Sequence, residues 1–180
     1  MNVLVVVDMQ NDFIDGSLGT PEARKIVPAV AKKIEEFDGA VIYTRDTHTE
    51  DYLSTQEGKH LPVEHCIYGK HGHEINSVIQ EAFNKHGAIS FNKKTFGSEN
   101  LVSYLKTSKS LGTMDIDSIE IIGLCTDICV VSNALMLKAA FPEIPIYVDA
   151  GCCAGVTPET HKAALTTMRM CQIEIRGDID

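Results

Sequence analysis

Tryptophan is absent from this chain, and all aromatic residues together make up only 6% of it. Any aromatic surface must therefore come from a few Phe, Tyr or His side chains. Positive charge is also scarce: 16 Lys and Arg face 25 Asp and Glu, for a formal net charge of -9. That balance favours solubility and argues against nucleic acid or an anionic membrane surface as a partner. No apolar run approaches the roughly 20 residues needed to cross a bilayer. The opening stretch MNVLVVVDMQNDF has no basic n-region and is interrupted by Asp8. It reads as a buried strand and not as a signal peptide, which leaves the cytoplasm as the expected location. None of the six cysteines (66, 125, 129, 152, 153 and 171) forms a CxxC pair. In a cytoplasmic chain they are expected to be mostly reduced, so the useful question is which thiol is reactive.

What the chain does have is an ordinary globular composition, 44% apolar and 23% charged over 180 residues. One domain spanning 1–180, with a full core, is expected. No repeat or low-complexity tract is visible. Strand-like and helix-like segments alternate. Strands are expected at 3–7, 40–43, 87–91, 118–122, 144–148 and 173–175. Helices are expected at 21–37, 75–86, 99–107, 129–141 and 158–170, the fourth apolar throughout and so well buried. Thr157 is the expected N-cap of the last helix, with Pro158 at its first position. Repeated β-then-α units predict a three-layer α/β/α fold with a mainly parallel central sheet. In such folds the active site lies outside the carboxyl ends of the strands.

Those strand ends carry the chemistry-bearing residues. Asp8 directly follows five apolar residues, where partial desolvation would raise its pKa and let it move protons. The segment GLCTDICV leads from a strand into a helix. A cysteine at a helix N-terminus is expected to have a lowered pKa, and the free N–H groups there suit an oxyanion. Position favours Cys129 as the nucleophile, against the plainer reading of a small buried thiol. After the strand near residue 90, one lysine of NKKTFGS could enter the cleft. The long polar stretch 44–74 contains Asp46, His48, Glu57, His60, His65, His71 and His73. Asp46 and His48 share one side of an extended segment, and mixed His and carboxylate donors suit zinc, iron or manganese. A solvated polar loop is the competing reading.

Taken in order, VVVDMQNDF, TRDTH, LPVEHC, NKKTFGS, GLCTDICV and VDAGCCAG resemble the nicotinamidase branch of the isochorismatase-like cysteine hydrolases over nearly the whole chain. The resemblance implies Asp8 as general base and acid, Lys93 as cationic partner and Cys129 as nucleophile. It implies a divalent metal, zinc or else iron or manganese, on Asp46, His48 and His65, with Glu57 as a fourth ligand. It also implies a non-proline cis peptide at Leu124–Cys125, helping to aim the Cys125 and Cys129 N–H groups at an oxyanion, and often a homo-oligomer. Leu61 stands where many members carry an aromatic residue, so the ring wall would rest on Phe13 and Phe96, with Leu61 beside them. One extra residue lies between Pro62 and His65 compared with some members. Both departures bear on the substrate more than on the chemistry. The implied reaction is hydrolysis of nicotinamide through a Cys129 thioester. The alternatives are another small amide, a carbamoyl or ureido substrate, or a thiol redox or metal-binding protein motivated by Cys125, Cys129 and the Cys152–Cys153 pair.

Overall fold

A computed structural model describes residues 1–177; the last three residues of the expected domain lie outside the described residues. The elements run β1 (Asn2–Val7), α1 (Asn11–Ile14), α2 (Pro21–Glu36), β2 (Ala40–Asp46), α3 (Gln56–His60), α4 (Ser77–His86), β3 (Ile89–Lys93), α5 (Glu99–Ser110), β4 (Ser118–Leu124), α6 (Val131–Ala140), β5 (Ile146–Ala154), α7 (Pro158–Met170) and β6 (Glu174–Arg176). The six strands form one sheet in the order β3-β2-β1-β4-β5-β6. Every pairing is parallel. Helix α2 packs against α4, while α5, α6 and α7 pack in succession, which gives the expected three layers.

Local chemistry accounts for the elements. Val3 to Val7 are fully buried, as an apolar β-branched run must be when helices cover both faces of its sheet. Thr20 caps α2 by accepting from the Ala23 N–H at 3.0 Å, with Pro21 in the first turn. Helix α4 stops at Gly87, whose φ of 69° is the left-handed conformation that glycine adopts without penalty. Thr157 caps α7 as expected, in a reciprocal pair with Thr160. A buried carboxylate in the middle of β4, Glu120, is tolerated because Lys33 of α2 reaches it at 2.5 Å and Asp149 at 3.0 Å.

Two expectations are corrected. Helix α6 is apolar nearly all round, yet only Asn133, Ala134 and Leu137 are buried; Val131, Leu135 and Met136 are half-buried. The fourth helix also begins differently, because Thr126–Val130 form a π-helical turn before α6. The polar stretch 44–74 contains the end of β2, α3 and two short 3-10 turns at Tyr52–Ser54 and His71–His73.

The order 3-2-1-4-5-6 reverses between β1 and β4, and the carboxyl ends flanking such a reversal form a crevice. Gly123 lets β4 lie close to β1 there. Its φ is 115°, and a Cβ at this position would fall 2.1 Å from the Val7 carbonyl oxygen. Gly123→Ala should therefore lower unfolding free energy by roughly 2–4 kcal/mol, read from the urea midpoint at unchanged slope.

Candidate active site

Four adjacent strand ends supply the crevice. Asp8 follows β1, Asp46 ends β2, Lys93 ends β3, and Cys129 lies on the π turn after β4. The Lys93 ammonium sits among the other three. It is 2.7 Å from Asp8 Oδ2, 3.3 Å from Asp46 Oδ1 and 3.4 Å from Cys129 Sγ. Asp8 is wholly buried, and Lys93 and Cys129 nearly so. Asp8 adopts a left-handed backbone, φ 48°, immediately after the strand. Its Oδ1 accepts from the Thr44 hydroxyl at 2.7 Å. Its Oδ2 faces Lys93 without a well-aligned hydrogen bond and so keeps an acceptor site for another proton.

Charge placement sets the protonation of these groups. Burial pushes the Asp8 pKa up, against the pull of Lys93. Burial opposes the Lys93 charge, but the Asp8 and Asp46 carboxylates outweigh it and hold the ammonium firmly protonated. Burial, then the Asp8 carboxylate, raise Cys129 well above the ordinary thiol value of 9.0 despite Lys93. This corrects the sequence expectation. A helix-start cysteine is activated where it meets solvent and the helix dipole. Here the thiol lies inside, next to a carboxylate, and both favour its neutral form.

A second cluster lies beside the first. One donor atom each from Asp46, His48, Glu57 and His65 falls within 4.8 Å of all the others. His48 Nε2 is 3.0 Å from Asp46 Oδ2 and 3.6 Å from Glu57 Oε1; His65 Nε2 is 3.5 and 3.7 Å from the same atoms. Ligands held ~2.0–2.2 Å from a common tetrahedral centre lie about 3.3–3.6 Å apart, so the spacing fits one divalent ion. The proton on His65 Nδ1 is donated to the Val63 carbonyl at 2.8 Å, which turns Nε2 toward the Asp46 and Glu57 carboxylates. That arrangement calls for a cation between them. Burial opposes ionisation of Asp46, yet the His48 and His65 hydrogen bonds and the Lys93 charge hold it well below the usual carboxylate range.

Several supporting residues are not marked by any sequence signal. Tyr52 is fully buried, with its ring 4.6 Å from that of His48 and 4.9 Å from that of His65. Burial and the Glu57 and Asp46 charges push its pKa up to about 12, and the neutral hydroxyl donates to the Leu61 carbonyl at 2.9 Å. Gln10 bonds both the N–H and the C=O of Asp46, at 2.7 and 2.8 Å, and reaches the His73 carbonyl. Asp12 accepts from the Cys66 N–H at 2.7 Å, tying down the chain next to His65. The motif around Asp8 could have flagged Gln10 and Asp12 as polar residues in an apolar setting; Tyr52 carried no such mark.

A cavity of about 700 Å³ opens above these groups, lined by Cys129, Cys125, Asp46, Glu57 and His65 and by the expected wall residues Phe13, Leu61 and Phe96. Asp8 and Lys93 lie beneath its floor. Lys94 is exposed at the rim. The Leu124–Cys125 peptide is cis, at the position the sequence motif implies. His60 lines the outer cavity, whereas His71 and His73 stand apart from the donor cluster. All six cysteines are free. Among the described residues, no helix is long and apolar enough to cross a membrane.

The isochorismatase domain model matches residues 2–177. A nicotinamidase/pyrazinamidase of Mycobacterium tuberculosis is 29% identical over 188 residues, covering 97% of this chain and 98% of that one. Among solved structures, the pyrazinamidase of Pyrococcus horikoshii in complex with zinc superposes with a TM-score of 0.80 at 27% identity, covering 98% and 99% of the two chains. The N-carbamoylsarcosine amidase of Thermoplasma acidophilum superposes with a TM-score of 0.76 at 29% identity, covering 98% and 95%. With its full-length match and its parallel α/β architecture, the chain belongs to the isochorismatase domain family.

Proposed function

We propose that this chain is a cysteine amidohydrolase that converts nicotinamide to nicotinate and ammonia through a thioester on Cys129. The observation that carries the reading is the single Lys93 ammonium placed 2.7 Å from Asp8 and 3.4 Å from the Cys129 sulfur under an apolar cavity. Nicotinamide is the preferred substrate because the Mycobacterium tuberculosis relative bears that activity in its name and aligns end to end. The Thermoplasma acidophilum likeness keeps a carbamoyl amide as the second reading.

In the proposed reaction Asp8 takes the Cys129 proton on the free acceptor position of Oδ2. Lys93 stays charged throughout. It faces the Asp8 carboxylate before the transfer and the thiolate after it, so the shift of negative charge costs little. The sulfur attacks the carboxamide carbon, and backbone N–H groups of Cys125 and Cys129 hold the oxyanion. The C–N bond breaks as Asp8 returns its proton to the departing nitrogen, releasing ammonia. Asp8 then deprotonates water, which attacks the thioester; the C–S bond breaks and the proton goes back to sulfur. A divalent ion, zinc by likeness to the Pyrococcus horikoshii structure, would be held by Asp46, His48, His65 and Glu57 and would supply a Lewis-acid anchor for the ring nitrogen. Phe13, Leu61 and Phe96 would position the ring. We place the reaction in the cytoplasm, within a single domain, with no nucleic-acid partner for a chain of net charge -9. We also place it in a homo-oligomer, as the sequence resemblance implies.

Replacing Cys129 with alanine should abolish ammonia release while leaving the urea midpoint within about 0.5 kcal/mol of the wild type or above it. Asp8→Asn should lower kcat by about 10²–10⁴. In the wild type, kcat/KM should fall on acidification through a pKa above the ordinary carboxylate value of 3.8, because the ionised base is the active form and its pKa is raised. Ammonia assays across pH at constant metal content read both effects. His48→Ala should lower metal affinity by at least about 10-fold, measured as metal per chain after dialysis.

A further inference from the structure

The cavity is much larger than the ring that the proposed reaction requires. Its volume of about 700 Å³ lies in the range that usually buries a drug-sized ligand. Beyond the polar floor most of its lining surface is apolar, from Leu18, Leu61, Phe96, Ile128 and Val156, with polar side chains such as Gln56, His60 and Lys94 between them. Three of these remain substantially open: Leu61 is 36% exposed, Phe96 46% and Val156 50%. An apolar wall left this open at the mouth of a reactive site gains from a ligand that covers it.

The two anchoring points fix where such a cover would attach. The carboxamide carbon must reach Cys129, and a ring nitrogen must face the Asp46, His48, Glu57 and His65 donors. In nicotinamide these two points are meta to each other on the ring. The carbon meta to both then points away from both, toward the mouth. A substituent on the amide nitrogen has no such room, because that nitrogen must take a proton from Asp8, which is wholly buried beneath the floor.

We infer that the site accepts nicotinamide-like heteroaromatic carboxamides bearing an apolar alkyl group on the ring carbon meta to both the nitrogen and the carboxamide, with Leu61, Phe96 and Val156 as the surface that selects it. This rests on the amidohydrolase reading above. Leu61 is the determinant because a larger side chain there would fill the volume that the alkyl group occupies. Val156 is held in place from the other side, its N–H donating to Asp127 at 3.1 Å.

The test compares, on the metal-loaded enzyme, nicotinamide, its methyl and propyl derivatives at that ring carbon, and nicotinamide methylated on the amide nitrogen. Rates of hydrolysis give kcat/KM, and calorimetry on Cys129→Ala gives Kd without turnover. Each added ring methylene should tighten Kd about two- to fourfold, with kcat within about threefold, and the N-methyl amide should be at least about 100-fold poorer than nicotinamide. Leu61→Trp should cut the propyl-to-nicotinamide ratio of kcat/KM by at least about tenfold. Turnover of nicotinamide together with weaker binding and poorer turnover of the propyl compound in the wild type would overturn the inference alone. No turnover of any of the amides would overturn the underlying amidohydrolase reading instead.

Discussion

One buried ammonium organises this molecule. Lys93 lies within 3.4 Å of two carboxylates and a sulfur in a region almost closed to solvent. A lone cation could not persist there, since burying an unpaired charge is prohibitive. Two carboxylates without it would repel each other. The three charges hold one another, and the neutral thiol is the one member free to exchange a proton at small electrostatic cost. A charge network of this kind is weak evidence of stability. Its proximity to a large apolar cavity makes it evidence of chemistry.

The sheet makes the network possible. Four neighbouring parallel strands deliver Asp46, Asp8, Lys93 and Cys129 to one rim, and the reversal between β1 and β4 opens space above them. Asp46 joins the two functional clusters, touching Lys93 through one oxygen and the histidines through the other. The stretch 44–74 then wraps the donor set, pinned by Gln10 and Asp12 from the loop after β1 and stiffened by Tyr52 beneath the imidazoles. The Asp8–Lys93–Cys129 cluster and the Asp46, His48, Glu57 and His65 donors are therefore parts of one rigid construction.

Much of this was readable in the sequence, for identifiable reasons. Strand ends in a parallel sheet are topologically fixed, so a carboxylate after an apolar run and a cysteine between a strand and a helix mark the crevice before any coordinates exist. Family resemblance selected Lys93 over Lys94 and picked four ligands from a histidine-rich stretch. The ionisation of Cys129 was misread, because a helix-dipole argument assumes partial exposure and depends on depth that spacing does not encode. Thr44 and Gln10 carry no local signal because their contacts lie 36 residues away in sequence, and nothing in its neighbourhood marks Tyr52 as a buried ring among polar residues. The fourth helix reads as deeply buried since its residues are largely apolar, yet only Asn133, Ala134 and Leu137 are buried and most of the rest are half-buried; composition does not encode depth.

The shared-ammonium account makes an unusual demand on the sulfur. Removing the negative charge of Asp8 should leave Lys93 free to favour the thiolate, so the Asp8→Asn protein should have a more acidic Cys129 than the wild type. The pH profile of Cys129 alkylation by a small neutral reagent, followed by mass spectrometry of the peptide containing it, reads this directly. A profile displaced to lower pH in Asp8→Asn is the result the account predicts. A profile that is unchanged, or displaced to higher pH, would contradict it.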